Sequence, residues 1–331
     1  MRVLVTGATG FIGGRLAPAL VQDGHRVRAL VRPGADASEL ERAGVEVARG
    51  DVADAADVGA AMEGCALAFN LAVPERHAGA AVLEAVNVAG PGHVVRAAAR
   101  AGASVVHCST TGVYGPLDRL PADEAHPTRP HRPYPASKLR GERLVAGLAH
   151  EGGVRVVIAR LSSVYGPGSQ RGLRPYRDTF RRRFYTIGPA TQVDDLVYVD
   201  DVVAGLLRCP EVADPEAPVY NLAGGAPRPL RDVYGAIAAA AGTRPRQRPL
   251  PVLPFRALAA ARRATGERRG LDTPLVHRLT HVPAPRAYSI ERARRDLGYL
   301  PAVGLEEGTA RTLGWYREAG LLSPDPKEPS A

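Results

Sequence analysis

Val3-Leu4-Val5-Thr6-Gly7-Ala8-Thr9-Gly10-Phe11-Ile12-Gly13-Gly14 stands near the start of the chain and decides how the rest is read. Val3-Leu4-Val5 is a short buried strand. The segment from Arg15 to about Asp23 is a helix, and Gly24 stops it. The glycines at 7, 10 and 13 therefore occupy a strand-to-helix turn. Gly7 permits the tight turn, Gly10 lets the backbone approach a pyrophosphate, and Gly13 allows close helix–strand packing. The helix N-terminus attracts the anion. The residues expected to line a dinucleotide here are Gly7, Thr9, Gly10, Phe11, Ile12 and Gly13.

Outward from this turn, strands alternate with helices. Strands are expected at His25–Val31, Val45–Ala48, Leu67–Leu71, Ser104–Cys108 and Arg155–Ala159. Helices are expected near Ala37–Ala43, Ala55–Glu63, Ala80–Arg100 and Tyr134–Glu151. Strands recurring every ~20 to 30 residues with helices between them form βαβ units and a parallel sheet. Right-handed crossovers put helices on both faces. The expected class is α/β: a Rossmann-type doubly wound parallel sheet over residues 1–168, with 196–222 returning to it, and a smaller, discontinuous C-terminal substrate lobe from 169–195 and 223–322. In that later part, Ser169–Ile187 reads as basic and irregular, and Thr243–Pro254 as an exposed connection. Leu305–Arg317 reads as an amphipathic helix, and residues 323–331 as a flexible tail.

Composition agrees with this class. Of 331 residues, 45% are hydrophobic and only 5% aromatic, so the core must be built from Ala, Val and Leu. The net charge of +9 permits nucleic-acid binding without requiring it. The basic cluster Arg171–Arg183 comes with no zinc-finger, RNA-recognition or helix-turn-helix pattern, and reads as a solvated or phosphate-facing loop. Three cysteines, Cys65, Cys108 and Cys209, fit no metal or redox spacing. With no apolar run of about 18 residues and no signal peptide, a cytoplasmic protein without a membrane or nucleic-acid partner is expected.

The ends of the strands carry further expectations. An acid at the end of the second strand binds a ribose 2′-hydroxyl, and an arginine accommodates a 2′-phosphate. Here Leu30-Val31-Arg32 has no carboxylate, so Arg32 is read as the 2′-phosphate partner, with Arg28 as a helper, and NADP is expected in preference to NAD. Asp51 and Val52, after the third strand, are placed to meet the adenine. Leu71 and Ala72 end the fourth strand beside the cofactor, and Asn87 serves capping or packing. Tyr134 and Lys138 lie four residues apart on one helix face. An ammonium there draws the phenol below its usual value of about 10, making Tyr134 a candidate general acid/base.

Taken together, these motifs resemble the extended short-chain dehydrogenase/reductase family, also called the NAD-dependent epimerase/dehydratase family. The resemblance rests on Thr6-Gly7-x-x-Gly10-x-x-Gly13, Asp51-Val52, Asn70-Leu71-Ala72, Ser109-Thr110-Thr111-Gly112-Val113-Tyr114-Gly115, Tyr134-x-x-x-Lys138, Arg160 with Val164-Tyr165-Gly166-Pro167-Gly168, Val197-Tyr198-Val199-Asp200-Asp201, Tyr220-Asn221-Leu222 and Ala293-x-x-Asp296-Leu297-Gly298-Tyr299. It implies that Tyr134 is the proton donor or acceptor, that Lys138 binds the nicotinamide ribose, and that Thr110, three residues before Val113, hydrogen-bonds the reacting oxygen, with Ser109 as the fallback. Ser109, Thr111, Ser163 and Arg174 are candidate substrate contacts.

Family members acting on nucleotide sugars usually carry asparagine where Ser163 stands and a diphosphate-clamping arginine where Asp194 stands. The stretch Val27–Arg32 and the segment around Tyr288-Ser289-Ile290 look more like the dihydroflavonol-reductase and 3β-hydroxysteroid-dehydrogenase branches. The reading is thus an NAD(P)-dependent oxidoreductase acting on a carbinol or carbonyl. The alternative is a nucleotide-sugar epimerase, dehydratase or decarboxylase with transiently reduced NAD, for which Arg171, Arg174, Arg177 and Arg181–Arg183 offer another phosphate contact. The resemblance also implies a homodimer built by the helices near Ala80–Arg100 and Tyr134–Glu151.

Overall fold

A computed structural model of the chain describes residues 1–75, 78–180, 184–187, 190–243, 247–251, 253, 254, 257 and 284–322. Two compact units emerge: Met1–Val164 with Val197–Gly225 and Tyr288–Ala302, and Tyr165–Leu196 with Ala226–Ala287 and Val303–Ala331.

The first unit holds a seven-stranded sheet. Its strands are β1 (Arg2–Thr6), β2 (Arg26–Val31), β3 (Glu46–Arg49), β4 (Leu67–Asn70), β5 (Ser104–Thr110), β6 (Val156–Leu161) and the strand Val219–Leu222. Their order is Val219–Leu222, β6, β5, β4, β1, β2, β3, and every pairing is parallel. The chain steps from β1 outward to β3 on one side and from β4 outward on the other. The strand order therefore reverses between β1 and β4, where a crevice opens at the carboxyl ends.

Helices α1 (Gly13–Gln22), α2 (Ser38–Arg42), α3 (Ala55–Met62), α4 (Ala80–Glu84), α5 (Gly90–Ala101) and α6 (Pro133–Gly152) cover the sheet. Central strands are buried on both faces, so they read as continuous apolar runs. Val3, Val5 and Phe69 pack under Leu16 and Leu20 of α1 and under Val202 and Leu206 of the helix Val199–Arg208. On the opposite face, Leu4, Ala68 and Val105 pack under Val58, Val94 and Val145 of α3, α5 and α6. Each such Leu or Val contributes about 1.5–3 kcal/mol by leaving water.

Between α4 and α5 the expected single helix passes through a π-helical turn, Ala85–Ala89, with Asn87 buried inside it. No proline or glycine breaks this turn, and Gly141 of α6 lies against it so closely that a side chain there would overlap the Asn87 carbonyl. The segment Tyr288–Ala302 was expected in the second lobe but belongs to the first unit. Its Tyr288 ring stacks on Tyr114, and its Tyr299 fits against Gly205, with its hydroxyl donating to Ala223 O at 3.0 Å.

In the second unit, helices Leu173–Phe180, Leu230–Ala240 and Leu305–Glu318 share a core of Leu173, Tyr176, Val233, Ile237, Leu313 and Tyr316. Two expectations are corrected here. Ser169–Ile187 is not irregular: it contains the helix Leu173–Phe180 and the strand Phe184–Ile187. Thr243–Pro254 is not merely a connection, because Gln247–Leu250 pairs in parallel with that strand. Interspersed arginines hide the apolar spacing of Leu173 and Tyr176. Residues 323–331 lie outside the described residues. Among the described residues, no helix is long and apolar enough to cross a membrane.

Candidate functional site

The glycine turn joins β1 to α1 at the crevice. Gly7 has φ +71°, a left-handed conformation that side chains resist, and a Cβ on it would lie 2.7 Å from Ala72 N. The backbone of Leu71 and Ala72 at the exit of β4 is thus pressed against the turn. A Cβ on Gly13 would overlap the Gly7 carbonyl oxygen. Thr9 and Gly10 are exposed, and Phe11 and Ile12 are half-buried. No side chain caps α1, and its first turn holds no acid. By contrast, Asp54 caps α3 by accepting from the N–H groups of Ala56 and Asp57. An uncapped, acid-free helix start behind a backbone cradle fits a pyrophosphate.

At the ends of β2 and β3 stand two arginines. Arg32 is 64% exposed, with Nη2 3.4 Å from Glu75. Arg49, which the sequence reading did not single out, donates from Nη1 to Ala35 O at 2.6 Å and so ties down the turn carrying Arg32. Its signal was strand register, since Arg49 lies beside Val31. Arg28 was expected to help Arg32, but it is committed elsewhere. Its Nε donates to Glu46 at 2.8 Å, and its Nη1 donates to Ala61 O and Glu63 O at the carboxyl end of α3. A guanidinium there satisfies the last carbonyls of a helix. Asp51 accepts from Ala53 N–H at 2.9 Å, and Val52 is buried against Gly90.

A polar chain crosses the carboxyl ends of β1, β4 and β5. Thr6 Oγ1 donates to Asn70 Oδ1 at 2.7 Å, and Asn70 Nδ2 donates to His107 Nδ1 at 3.1 Å. His107 is fully buried. Burial, and then the nearby charge of Lys138, push it well below its ordinary value, so it is neutral and carries its proton on Nε2. No motif pointed to His107; its role is visible only once the strands are aligned.

Tyr134 and Lys138 occupy the first two turns of α6 and differ sharply in exposure, at 36% and 1%. The turn is anchored from below. Asn87 Nδ2 donates to Ser137 Oγ at 2.9 Å, and Ser137 Oγ donates to Tyr134 O at 2.8 Å. Asn87 therefore packs and also ties the π-turn to α6. Burial lowers Lys138 to about 8, opposed by Cys108 and Glu142, so the ammonium persists at neutral pH. Among the described residues it has no hydrogen-bond partner, and a buried donor in that position fits a ribose hydroxyl.

Thr110 ends β5 half-buried, and its Oγ1 accepts from Gly112 N–H at 3.1 Å, which leaves the hydroxyl proton to donate. Ser109 projects from the opposite face of the strand. It is 5% exposed, and its Oγ lacks a partner among the described residues. Thr111 is also buried and Ser163 half-buried. In the second unit, Arg174 pairs with Asp178 at 3.3 Å. The Arg171 side chain and Arg181–Arg183 lie outside the described residues.

Comparison with known proteins agrees with this arrangement. Residues 3–223 match the model of the NAD dependent epimerase/dehydratase family. A 2-alkyl-3-oxoalkanoate reductase of Stenotrophomonas maltophilia is 30% identical, over 94% of this chain and 98% of that protein. A dTDP-glucose 4,6-dehydratase of Streptomyces griseus is 29% identical, over 96% of this chain and 94% of that protein. Among solved structures, MoeE5 in complex with UDP-glucuronic acid and NAD superposes with a TM-score of 0.76 at 27% identity, covering 96% of this chain and all of that one.

Proposed function

Because the chain belongs to the NAD-dependent epimerase/dehydratase family, we propose that it is an NADP-preferring oxidoreductase acting on a ketone or secondary alcohol, with Tyr134 as its general acid/base. The observation that carries this reading is a partly exposed tyrosine one turn from a buried ammonium that has no hydrogen-bond acceptor among the described residues. When bound at the carboxyl ends of the strands, a nicotinamide dinucleotide supplies the hydride exchange that side chains cannot perform.

The chain's own residues do the rest. Gly7, Gly10, Gly13 and the start of α1 receive the pyrophosphate. Asp51 and Val52 stand on the adenine side, and Leu71 and Ala72 wall the crevice. Lys138 holds the ribose and keeps the phenolate accessible. Tyr134 gives its proton to the substrate oxygen during reduction and takes it back during oxidation, while Thr110 donates a hydrogen bond to the same oxygen. The similarity to the 2-alkyl-3-oxoalkanoate reductase supports a ketone as substrate. Homodimerisation through the helical segment from α4 to α5 and through α6, and a cytoplasmic setting, where the three buried thiols stay reduced, complete the proposal.

The similarity to the dTDP-glucose dehydratase and to MoeE5 supports a second reading, in which a nucleotide sugar is transformed with NAD recycled in each turnover. Stoichiometry separates the two. Net NADPH consumption with a panel of 3-oxoacyl substrates is expected. Copurified NAD with no net redox change would establish the second reading instead.

Arg32→Ala is expected to weaken NADPH about 10- to 100-fold, the equivalent of one charge-assisted contact, and to leave NADH unchanged. Fluorescence titration of both cofactors checks this, and equal NADPH affinity in the variant would remove the basis for NADP. Thr110→Ala is expected to lower kcat by about 100-fold or more, whereas Ser109→Ala, on the far face of β5, changes it little. The reverse order would transfer the oxygen contact to Ser109.

A further inference from the structure

Arg160 takes no part in the chemistry described so far, although it stands in a motif of its own. Arg160 is 6% exposed, and its guanidinium grips Glu142, itself 3% exposed. Nη2 donates to Oε2 at 2.7 Å, and Nε lies 3.2 Å from both carboxylate oxygens. On α6, Glu142 follows Lys138 by one turn and Tyr134 by two, so all three share one helix face. A buried carboxylate beside a buried ammonium would normally capture it. Here Arg160 holds both of Glu142's oxygens, and Lys138 is left without a hydrogen bond among the described residues. Arg160 is fixed from its other side by the Tyr114 ring, 4.9 Å away, and Tyr114 is anchored by its hydroxyl donating to Asn221 Oδ1 at 2.7 Å.

We propose that Glu142 and Arg160 are positioning residues for the proton-transfer pair: their opposed charges set the potential at Lys138 and Tyr134, and Arg160 keeps Glu142 from seizing the Lys138 ammonium. The proposal rests on the assignment of Tyr134 as general acid/base. Stability alone is a weak reason for such a pair, because replacing a buried ion pair with apolar residues is often neutral or stabilising. Among the described residues, the other titratable groups facing Lys138 are Cys108 and His107 of β5 and Tyr134 on its own helix. The Cys108 thiol is pushed up to about 12 by burial, and His107 is neutral. Of the groups acting on Lys138, Glu142 is the one that is charged, and Arg160 is its partner. Removing the negative charge loosens protons on Tyr134 and Lys138 alike, and removing the positive charge tightens both, so the coupled pair moves as one.

The test is the tyrosinate absorbance of the full chain titrated with pH, each variant read against the same variant carrying Tyr134→Phe. Glu142→Gln is expected to lower the Tyr134 midpoint by about one pH unit, and Arg160→Met to raise it by about one. The double variant is expected to return to within about half a unit of the parent. Should Glu142→Gln, which leaves a guanidinium unpaired, fail to fold, Arg160→Met and the double variant decide. Single variants that shift in the same direction, or that do not shift, overturn the proposal. The readout titrates Tyr134 whether or not it serves a substrate. A wrong catalytic assignment would appear instead as unimpaired turnover in Tyr134→Phe.

Discussion

Tyr134→Phe is expected to lower kcat about 100- to 10,000-fold, the range contributed by a positioned acid/base, while cofactor affinity and Tm stay near those of the parent. The ring is 36% exposed at the start of α6, so removing one oxygen opens no cavity in the core. The turn is held through the Tyr134 backbone carbonyl by Ser137, and Ser137 by Asn87. Phenylalanine keeps these backbone-anchored bonds and loses the hydroxyl that would exchange the proton. Steady-state turnover with the best carbonyl substrate, NADPH titration and a thermal melt together check this. Full turnover in the folded variant would end the proposed mechanism. Equal loss of turnover and cofactor binding would show a structural role instead.

Gly13→Ala is expected to abolish measurable dinucleotide binding and to destabilise the fold by about 1–3 kcal/mol, the usual range for overpacking. The added methyl would overlap the Gly7 carbonyl oxygen, which is backbone and cannot rotate away as a side chain does. Gly7 is itself wedged against Leu71 and Ala72, so the turn has no direction in which to yield. The neighbouring residue supplies the control. A Cβ on Gly14 would meet Ala8 O at 3.4 Å, an ordinary contact. Gly14→Ala should therefore bind cofactor normally and gain up to about 1 kcal/mol of helix propensity. Calorimetric cofactor titration and thermal melts of the two variants form the test. A Gly13→Ala chain that binds like the parent would mean the turn does not form the cofactor cradle.

Much of the sheet was legible from local signals. Val3–Val5, the glycine turn and the alternation of apolar strands with helices are short-range patterns. Residues that report on their own backbone, such as Gly7 and Gly13, are read correctly one at a time. The second unit was harder, because arginines interrupt the apolar spacing of Leu173 and Tyr176, and Gln247–Leu250 carries proline and polar residues that do not read as a strand.

By itself, the sequence determined the parallel α/β class, the position of the glycine turn between β1 and α1, and the placement of Tyr134 and Lys138 one helix turn apart, because each depends on residues within a few positions of one another. Only the tertiary structure decided the polar chain from Thr6 through Asn70 to His107, the diversion of Arg28 to the end of α3, the burial of the Lys138 ammonium, and the capture of Glu142 by Arg160. The physical reason is that charge and hydrogen bonding inside a core depend on which strands and helices become neighbours. Glu142 lies one turn from Lys138 along α6, yet the cation that holds it comes from β6, 18 positions further along the chain.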